Sequence, residues 1–352
     1  MSTTNLSTLL QTVVDEGGSD LHLSVGNHPT LRVSGTLIPL FQEPKLTQEH
    51  TEAYLRELIG EERFARFQKE QAVDFSYSVG AGGRFRGNGF IQRGSVAIAL
   101  RLIPKQIGSF SELGLPPILE AFAQRKQGFF LVVGPVGQGK STTLAAMIEL
   151  INLTRAEHIL TIEDPIEYIF TPKKSLIEQR EVGIDTPDFY TALRSGFRQD
   201  IDVIMVGEMR EYETISAAVT AAETGHLVLS TLHTNNAAQT IDRIIDSFPA
   251  NQQDQVRVQL AGSLAGIFSQ RLVPRISGGR VPAYEVLINN SAVSNLIREG
   301  RTHEINTVIQ TGSQDGMIDM DRSLAELVQK GEITVEHAYE RALDPRIFER
   351  YL

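Results

Sequence analysis

Eight residues constrain this chain more than any other: GPVGQGKS at 134–141 joins an apolar run at 129–133 to a stretch with helical capacity at 142–150. The string fits GxxxxGK[ST]. Its setting, a strand leading in and a helix leading out, is what the motif needs physically. Gly134, Gly137 and Gly139 let backbone N–H groups wrap an anion. Lys140 carries charge toward β and γ phosphates, and Ser141 offers a hydroxyl to Mg²⁺. With Thr142, which opens the helix, these are the candidate residues for binding ATP and Mg²⁺. A glycine-rich turn that merely caps a helix is the plain alternative, and the strand-to-helix context weighs against it.

Such a unit calls for an α/β fold, and the rest of the chain supplies one. Apolar runs at 129–133, 159–162, 203–206 and 227–232 are separated by long segments with helical capacity, the pattern of buried parallel strands. The 352 residues exceed what one hydrophobic core usually supports, so two domains are expected. A smaller α/β domain precedes the first run. Leu6, Leu9, Leu10 and Val13 fall at helical spacing, and Leu21, Leu23 and Val25 alternate as in a half-buried strand. Helix is expected over 47–59, a turn over 80–83, and antiparallel strands over 75–79, 84–93 and 96–103. Pro104, Gly108, Gly114, Pro116 and Pro117 crowd a stretch that disfavours regular structure. The expected organisation is therefore 1–103, a linker over 104–117, a core over 118–290, and a tail of short helices over 291–352 broken at Gly300, Gly312 and Gly331.

Composition narrows the chemistry. With no cysteine there is no disulfide, no thiol nucleophile and no cysteine-based zinc site. The formal charge of −10 opposes non-specific adhesion to nucleic acid, so no nucleic-acid partner is expected. No apolar run is long enough for a membrane span, and the start MSTTNLSTLLQ lacks the pattern of a secretory signal, so a cytoplasmic protein is expected.

Two further runs end in acids. Residues 159–162 lead into Glu163 and Asp164, and residues 203–206 lead through Gly207 into Glu208. In open α/β sheets ligands gather at the carboxyl ends of strands, which would turn these acids toward the phosphates. Phosphoryl transfer needs a carboxylate near Mg²⁺ and another group to orient the attacking water. Either acid alone would serve equally well as a cap for the turn that follows. His226 and His233 flank the run at 227–232 and are candidates for sensing phosphate; each could also be a satisfied structural histidine. Arg84, Arg86, Arg93 and Arg101 fall on expected strands opposite an apolar face, forming a one-sided basic surface. That surface is either an ordinary solvated strand face or a set of arginine fingers for γ-phosphate charge.

The order of rarer strings carries a resemblance. SDLHLSVGNHPTLRVSGTLIPL from Ser19, RFRGNGFIQRG from Arg84, LGLPP from Leu113, ILTIEDPIEY from Ile159, VGEMRE from Val206, TAAETGHLVLSTLHTNNA from Thr220 and IDRIIDSFP from Ile241 stand in one succession along nearly the whole chain. In this the sequence resembles the type II/type IV pilus secretion ATPases, in particular the twitching-motility retraction ATPases of the PilT type. The resemblance implies a PAS-like N-terminal α/β domain, a RecA-like P-loop ATPase domain with a helical C-terminal region, and a homohexameric motor. It implies that Glu163 polarises the water, that Glu208 supports Mg²⁺ and the nucleophile, and that His226 and His233 line the site. Arg86 and Arg101 align with the arginine fingers. The implied partners are an inner-membrane pilus platform protein and the pilus machinery, with the ring peripherally associated at its base, and a paralogous retraction ATPase beside it.

AVSNLIRE at 292–299 is similar to the AIRNLIRE motif of retraction ATPases, and THEINTVIQTGSQDGM follows it, which favours retraction over assembly. Consecutive Leu296 and Ile297 should leave apolar surface at the edge of that helix. There are departures: Val136 and Gln138 stand where the family commonly has Thr and Ser, Glu211 replaces Asp, and Gly87 and Gly89 loosen a strand. An accessory retraction paralogue, a nucleotide-gated regulatory ring with little turnover, and a DNA translocase remain as alternatives. Steady-state phosphate release would separate the regulatory ring from the two retraction readings, and DNA stimulation of the ATPase would test the translocase.

Overall fold

The structure, a computed structural model, describes residues 5–80, 83–103 and 106–352. It packs as two units. One comprises the chain through Gln106 together with Pro165–Ile169, and the other comprises Ile107–Asp164 and Phe170–Leu352. The return of five residues to the first unit, just after Asp164, has no compositional signal in the sequence. Ile166 is buried there.

The first unit is a six-stranded antiparallel sheet. In chain order its strands are β1 (Asp20–Ser24), β2 (Thr30–Val33), β3 (Thr36–Pro39), β4 (Ala72–Val79), β5 (Gly83–Gln92) and β6 (Ser95–Ile103), and their spatial order is β3-β2-β1-β6-β5-β4. Period-two alternation sends Leu21, Leu23, Phe75, Phe85, Ile98 and Leu100 to one face. There they meet Leu6, Leu9, Leu10 and Val13 of the helix Leu6–Asp15 and Leu55, Phe64 and Phe67 of the helix Gln48–Glu70.

The second helix runs eleven residues past the expected end. It breaks direction at Gly60 (φ 76°) and continues because Phe64 and Phe67, three apart, give the second half its own buried stripe. Arg93 is not on a strand: with φ 48° it forms the turn between β5 and β6 with Gly94, so it leaves the row of strand arginines. The expected turn at 80–83 falls partly on residues 81–82, and Pro104 of the linker falls on 104–105, both outside the described residues. The remaining linker is not devoid of structure. Ser109 and Glu112 form a capping box on the one-turn helix Phe110–Leu113, which Gly114 closes in the left-handed region.

The second unit is built on seven strands: β7 (Gly128–Val133), β8 (His158–Glu163), β9 (Leu176–Glu181), β10 (Val203–Val206), β11 (Leu227–Leu232), β12 (Leu264–Pro274) and β13 (Arg280–Ile288). Their spatial order is β13-β12-β7-β11-β10-β8-β9, parallel throughout except for the antiparallel edge pair β12–β13. Every residue of β7, β10 and β11 is buried, which requires cover on both faces. Burial of a Leu, Ile or Phe here contributes about 1.5–3 kcal/mol each before cavity effects. The P-loop helix Lys140–Thr154 contributes Leu144, Met147, Ile148 and Ile151 to this packing.

In the tail, the helix Ser291–Arg298 buries Val293 and Ile297 completely, an i, i+4 pair seated in the main core. Leu296 is half-buried against that core and Ala292 is exposed. Of the two consecutive apolar residues, Ile297 is therefore packing and only Leu296 reaches the helix edge. Further along, Met320, Leu324 and Phe348 close over Val273, Val281 and Ala283 of the β12–β13 pair. Among the described residues no helix is long and apolar enough to cross a membrane.

Candidate nucleotide-binding site

The P-loop leaves the carboxyl end of β7 and winds directly into the helix Lys140–Thr154. Gly139 occupies the N-cap with φ 81° and makes no side-chain cap bond, so the first-turn N–H groups point into the loop as a ready anion cradle. Gly134 has φ 147°, and a Cβ there would lie 2.4 Å from the Gln270 carbonyl oxygen, so no side chain fits. Lys140 is buried, and its Nζ donates to the carbonyl oxygens of Gly134 (2.8 Å) and Pro135 (2.9 Å). A buried ammonium in a loop of backbone N–H groups suits a polyanion.

The imidazole of His233, just past the end of β11, has Nδ1 3.3 Å from Lys140 Nζ. A lysine ammonium only donates, so Nδ1 accepts and the ring proton sits on Nε2. His233 Nε2 faces Glu208 Oε2 at 3.4 Å, and Glu208 Oε1 pairs with Arg210 at 2.6 Å. Hydroxyls of β11 fix the turn that carries Glu208: Ser230 Oγ donates to Val206 O and Thr231 Oγ1 to Gly207 O, both at 2.7 Å. Lys140, His233 and Glu208, distant in sequence, thus form one continuous polar chain across the ends of β7, β11 and β10.

Glu163 is the last residue of β8, three strand positions from β7, roughly 14 Å at ~4.8 Å per strand. Its buried Oε1 accepts from Thr161 Oγ1 (2.7 Å) and Gln179 Nε2 (3.2 Å). The structure does not bring His226 to this cluster. His226 precedes β11 whereas His233 follows it, and a six-residue strand rises roughly 20 Å. The His226 ring is instead within 3.0 Å of Ala221 O and lies against Phe197, while its carbonyl accepts from Gly128 N at the amino end of the sheet.

In the first unit, Arg86 and Arg101 are direct cross-strand partners on β5 and β6. Arg101 is mostly exposed, but its Nε donates to Asp20 Oδ1 at 2.9 Å, and Arg86 pairs with Glu167 at 3.6 Å. Burial alone would raise the Asp20 carboxyl; hydrogen bonds from Ser19 and Arg101 outweigh it and hold the group below the usual carboxylate range. A cleft of about 430 Å³ is lined by these residues together with His22 and Asp74. The surface expected to be basic is therefore a mixed-charge face, because its acids lie on β1, β4 and the returning segment.

Sequence reasoning passed over β12 and β13, which hold much of the site together. Ser269 Oγ donates to Asn235 O in the His233 loop, and the buried Glu285 Oε1 accepts from Ala237 N at 2.7 Å, where that loop enters its helix. Burial pushes the Glu285 carboxyl from its ordinary 4.5 up to about 7; the Ala237 N–H opposes this, Asp319 and Asp321 add to it, and Arg271 lowers it. The unfolded chain releases this proton near pH 4.5 and the folded protein near 7. The stability contributed by Glu285 is thus whole below about pH 4.5 and lost as pH rises through about 7. Melting temperature is expected to fall by a few degrees between about pH 5 and pH 8. Glu285→Gln, which keeps an acceptor for Ala237 N, should flatten that fall and melt higher than the parent at pH 8. Superimposable pH profiles would remove Glu285 as the cause.

Residues 84–340 match the family described as type II/IV secretion system protein. The chain is 44% identical over 344 residues to the type IV pilus retractation ATPase PilT of Pseudomonas aeruginosa, spanning 98% of this chain and 100% of that protein. It is 47% identical over 315 residues to a twitching motility protein of Neisseria gonorrhoeae, spanning 89% and 84% respectively. A crystal structure of the pilus retraction motor PilT with bound ADP matches with a TM-score of 0.91 at 48% identity, over 98% of this chain and 99% of that one.

Proposed function

We propose, from the premise that this chain belongs to the type II/IV secretion system protein family, that it is an ATP-hydrolysing motor that drives retraction of type IV pili. The observation that carries the reading is the polar chain from Lys140 through His233 to Glu208. It joins the cation of the P-loop to an acid on another strand, so a change at the phosphates is passed beyond the loop that binds them. A loop that only bound nucleotide would need no such connection.

In this reading Gly134, Gly137, Gly139, Lys140, Ser141 and Thr142 hold the phosphates of ATP. His233 exchanges its contact with Lys140 for one with the γ-phosphate. Glu163, fixed by Thr161 and Gln179, orients water. Arg86 and Arg101 bring positive charge to the transferred phosphoryl group. His226 anchors the amino end of β11 and takes no part in the chemistry of its own chain. For Mg²⁺ the donor set fits: a hydroxyl at Ser141 and a carboxylate at Glu208 are hard oxygen donors. Among the described residues no cluster of three or more His, Asp or Glu forms a dedicated cage, as befits a cation that keeps waters and phosphate oxygens. When bound, the ion neutralises charge on the β and γ phosphate oxygens.

The working form is a homohexameric ring, since a head-to-tail interface either closes or grows into a filament. Its partners are a platform protein of the inner membrane and the pilus machinery, to which the ring attaches peripherally. Deleting the gene should leave cells with surplus surface pili and no twitching, and the native gene should restore motility where the Lys140→Ala gene does not. Normal twitching in the deletion strain, or full rescue by Lys140→Ala, would overturn the assignment.

A further inference from the structure

Strand β12 continues past the end of its pairing with β7, which stops at Ser269 and Val133. Beyond that point the Gln270 side chain and the Leu272 backbone N–H turn to the P-loop. Gln270, nearly fully buried, donates from Nε2 to the Gln138 carbonyl oxygen at 2.9 Å and accepts at Oε1 from Thr143 Oγ1 at 2.6 Å. In return Gln138 Oε1 accepts from the backbone N–H of Leu272 at 2.7 Å. The loop also rests on the same residue through its glycines: a Cβ at Gly134 would strike Gln270 O at 2.4 Å, and one at Gly139 would come 3.0 Å from Gln270 Nε2. One strand thus holds the start, middle and end of the P-loop.

We propose that Gln138 and Gln270 form a reciprocal amide clamp that fixes the P-loop in its phosphate-receiving shape, making both positioning residues for ATP binding. This rests on the ATPase reading above and adds the means by which this chain pre-organises its loop. Backbone N–H groups bind phosphate well only if the loop need not be ordered at the moment of binding. Gln138 stands where retraction ATPases commonly carry Ser, whose side chain is too short to make the bond that Gln138 makes to Leu272 N. The longer side chain therefore gives this chain a tether that the shorter one lacks, and it is not a neutral departure. Gln270 is the more demanding member, because its removal strands the Thr143 hydroxyl and the Gln138 carbonyl together.

Gln138→Ser is expected to raise the KM for ATP about 3- to 10-fold with kcat within about threefold of the parent, the loss of one net hydrogen bond from the loop. Gln270→Met, close in volume and without polar atoms, should raise KM about 10-fold or more. In both full-length variants, hydrogen exchange of the amides at 134–140 should quicken while exchange in β7 and β11 stays unchanged. A role confined to core packing would instead lower the melting temperature with KM unmoved. Gln138 is half-buried in the P-loop and outside the hydrophobic core, so its variant folds whatever becomes of Gln270→Met. Unchanged KM and unchanged loop exchange in folded Gln138→Ser would overturn the clamp while leaving the ATPase reading intact; absence of turnover in the parent protein would sink that reading instead.

Discussion

Lys140→Ala is expected to lower Mg²⁺-dependent ATP turnover by on the order of 10³-fold with the fold preserved. Hydrogen bonds of the side chain reach Gly134 O, Pro135 O and His233, groups of the site itself. The helix that follows is anchored by Leu144, Met147, Ile148 and Ile151, so its packing does not depend on the lysine. What disappears is a buried positive charge, whose attraction for phosphate is screened less than at an exposed site. Steady-state phosphate release, measured beside circular dichroism and thermal melting, tests this directly. Turnover within about tenfold of the parent in a folded variant would show that the loop is not the hydrolytic site.

Glu208→Gln should slow hydrolysis by about 10²- to 10⁴-fold while ATP binding persists. The exchange is nearly isosteric and keeps an oxygen for Arg210, so the turn fixed by Ser230 and Thr231 should hold. It removes the carboxylate that faces His233 Nε2 and that would stand beside Mg²⁺. Titration with a fluorescent ATP analogue, set against single-turnover phosphate release, separates binding from chemistry. Parent-like single-turnover rates would reduce Glu208 to the ion-pair partner of Arg210.

The parts legible in the sequence were those in which local pattern and tertiary role coincide. Buried central strands read as short, mainly apolar runs, and β10 and β11 fall at 203–206 and 227–232 as their composition indicates. The edge strand β9, LIEQRE, carries half its residues in partial contact with solvent and gives no such run. β12 interrupts its apolar run with Ser269, Gln270 and Arg271, because the strand serves the P-loop as well as the core. Partners far apart along the chain were hidden for a simpler reason. Arg101 and Asp20, 81 residues apart, meet only because β6 pairs with β1. His226 is hidden in the opposite way: it is close to His233 along the chain, but the intervening strand β11 places the two at opposite ends of the sheet.

Between Asp164 and Phe170 the chain lends five residues to the first unit and takes the thread back. The two units are therefore sewn together by three crossings, and no single cut frees either one. A truncation beginning near Leu113 would keep Pro165–Ile169, with the buried Ile166, while discarding the rest of the unit to which they belong. Loss of activity in such a fragment would be no measure of what Arg86 and Arg101 contribute. For the same reason, grafting the first unit of one relative onto the second unit of another requires transplanting these five residues along with it.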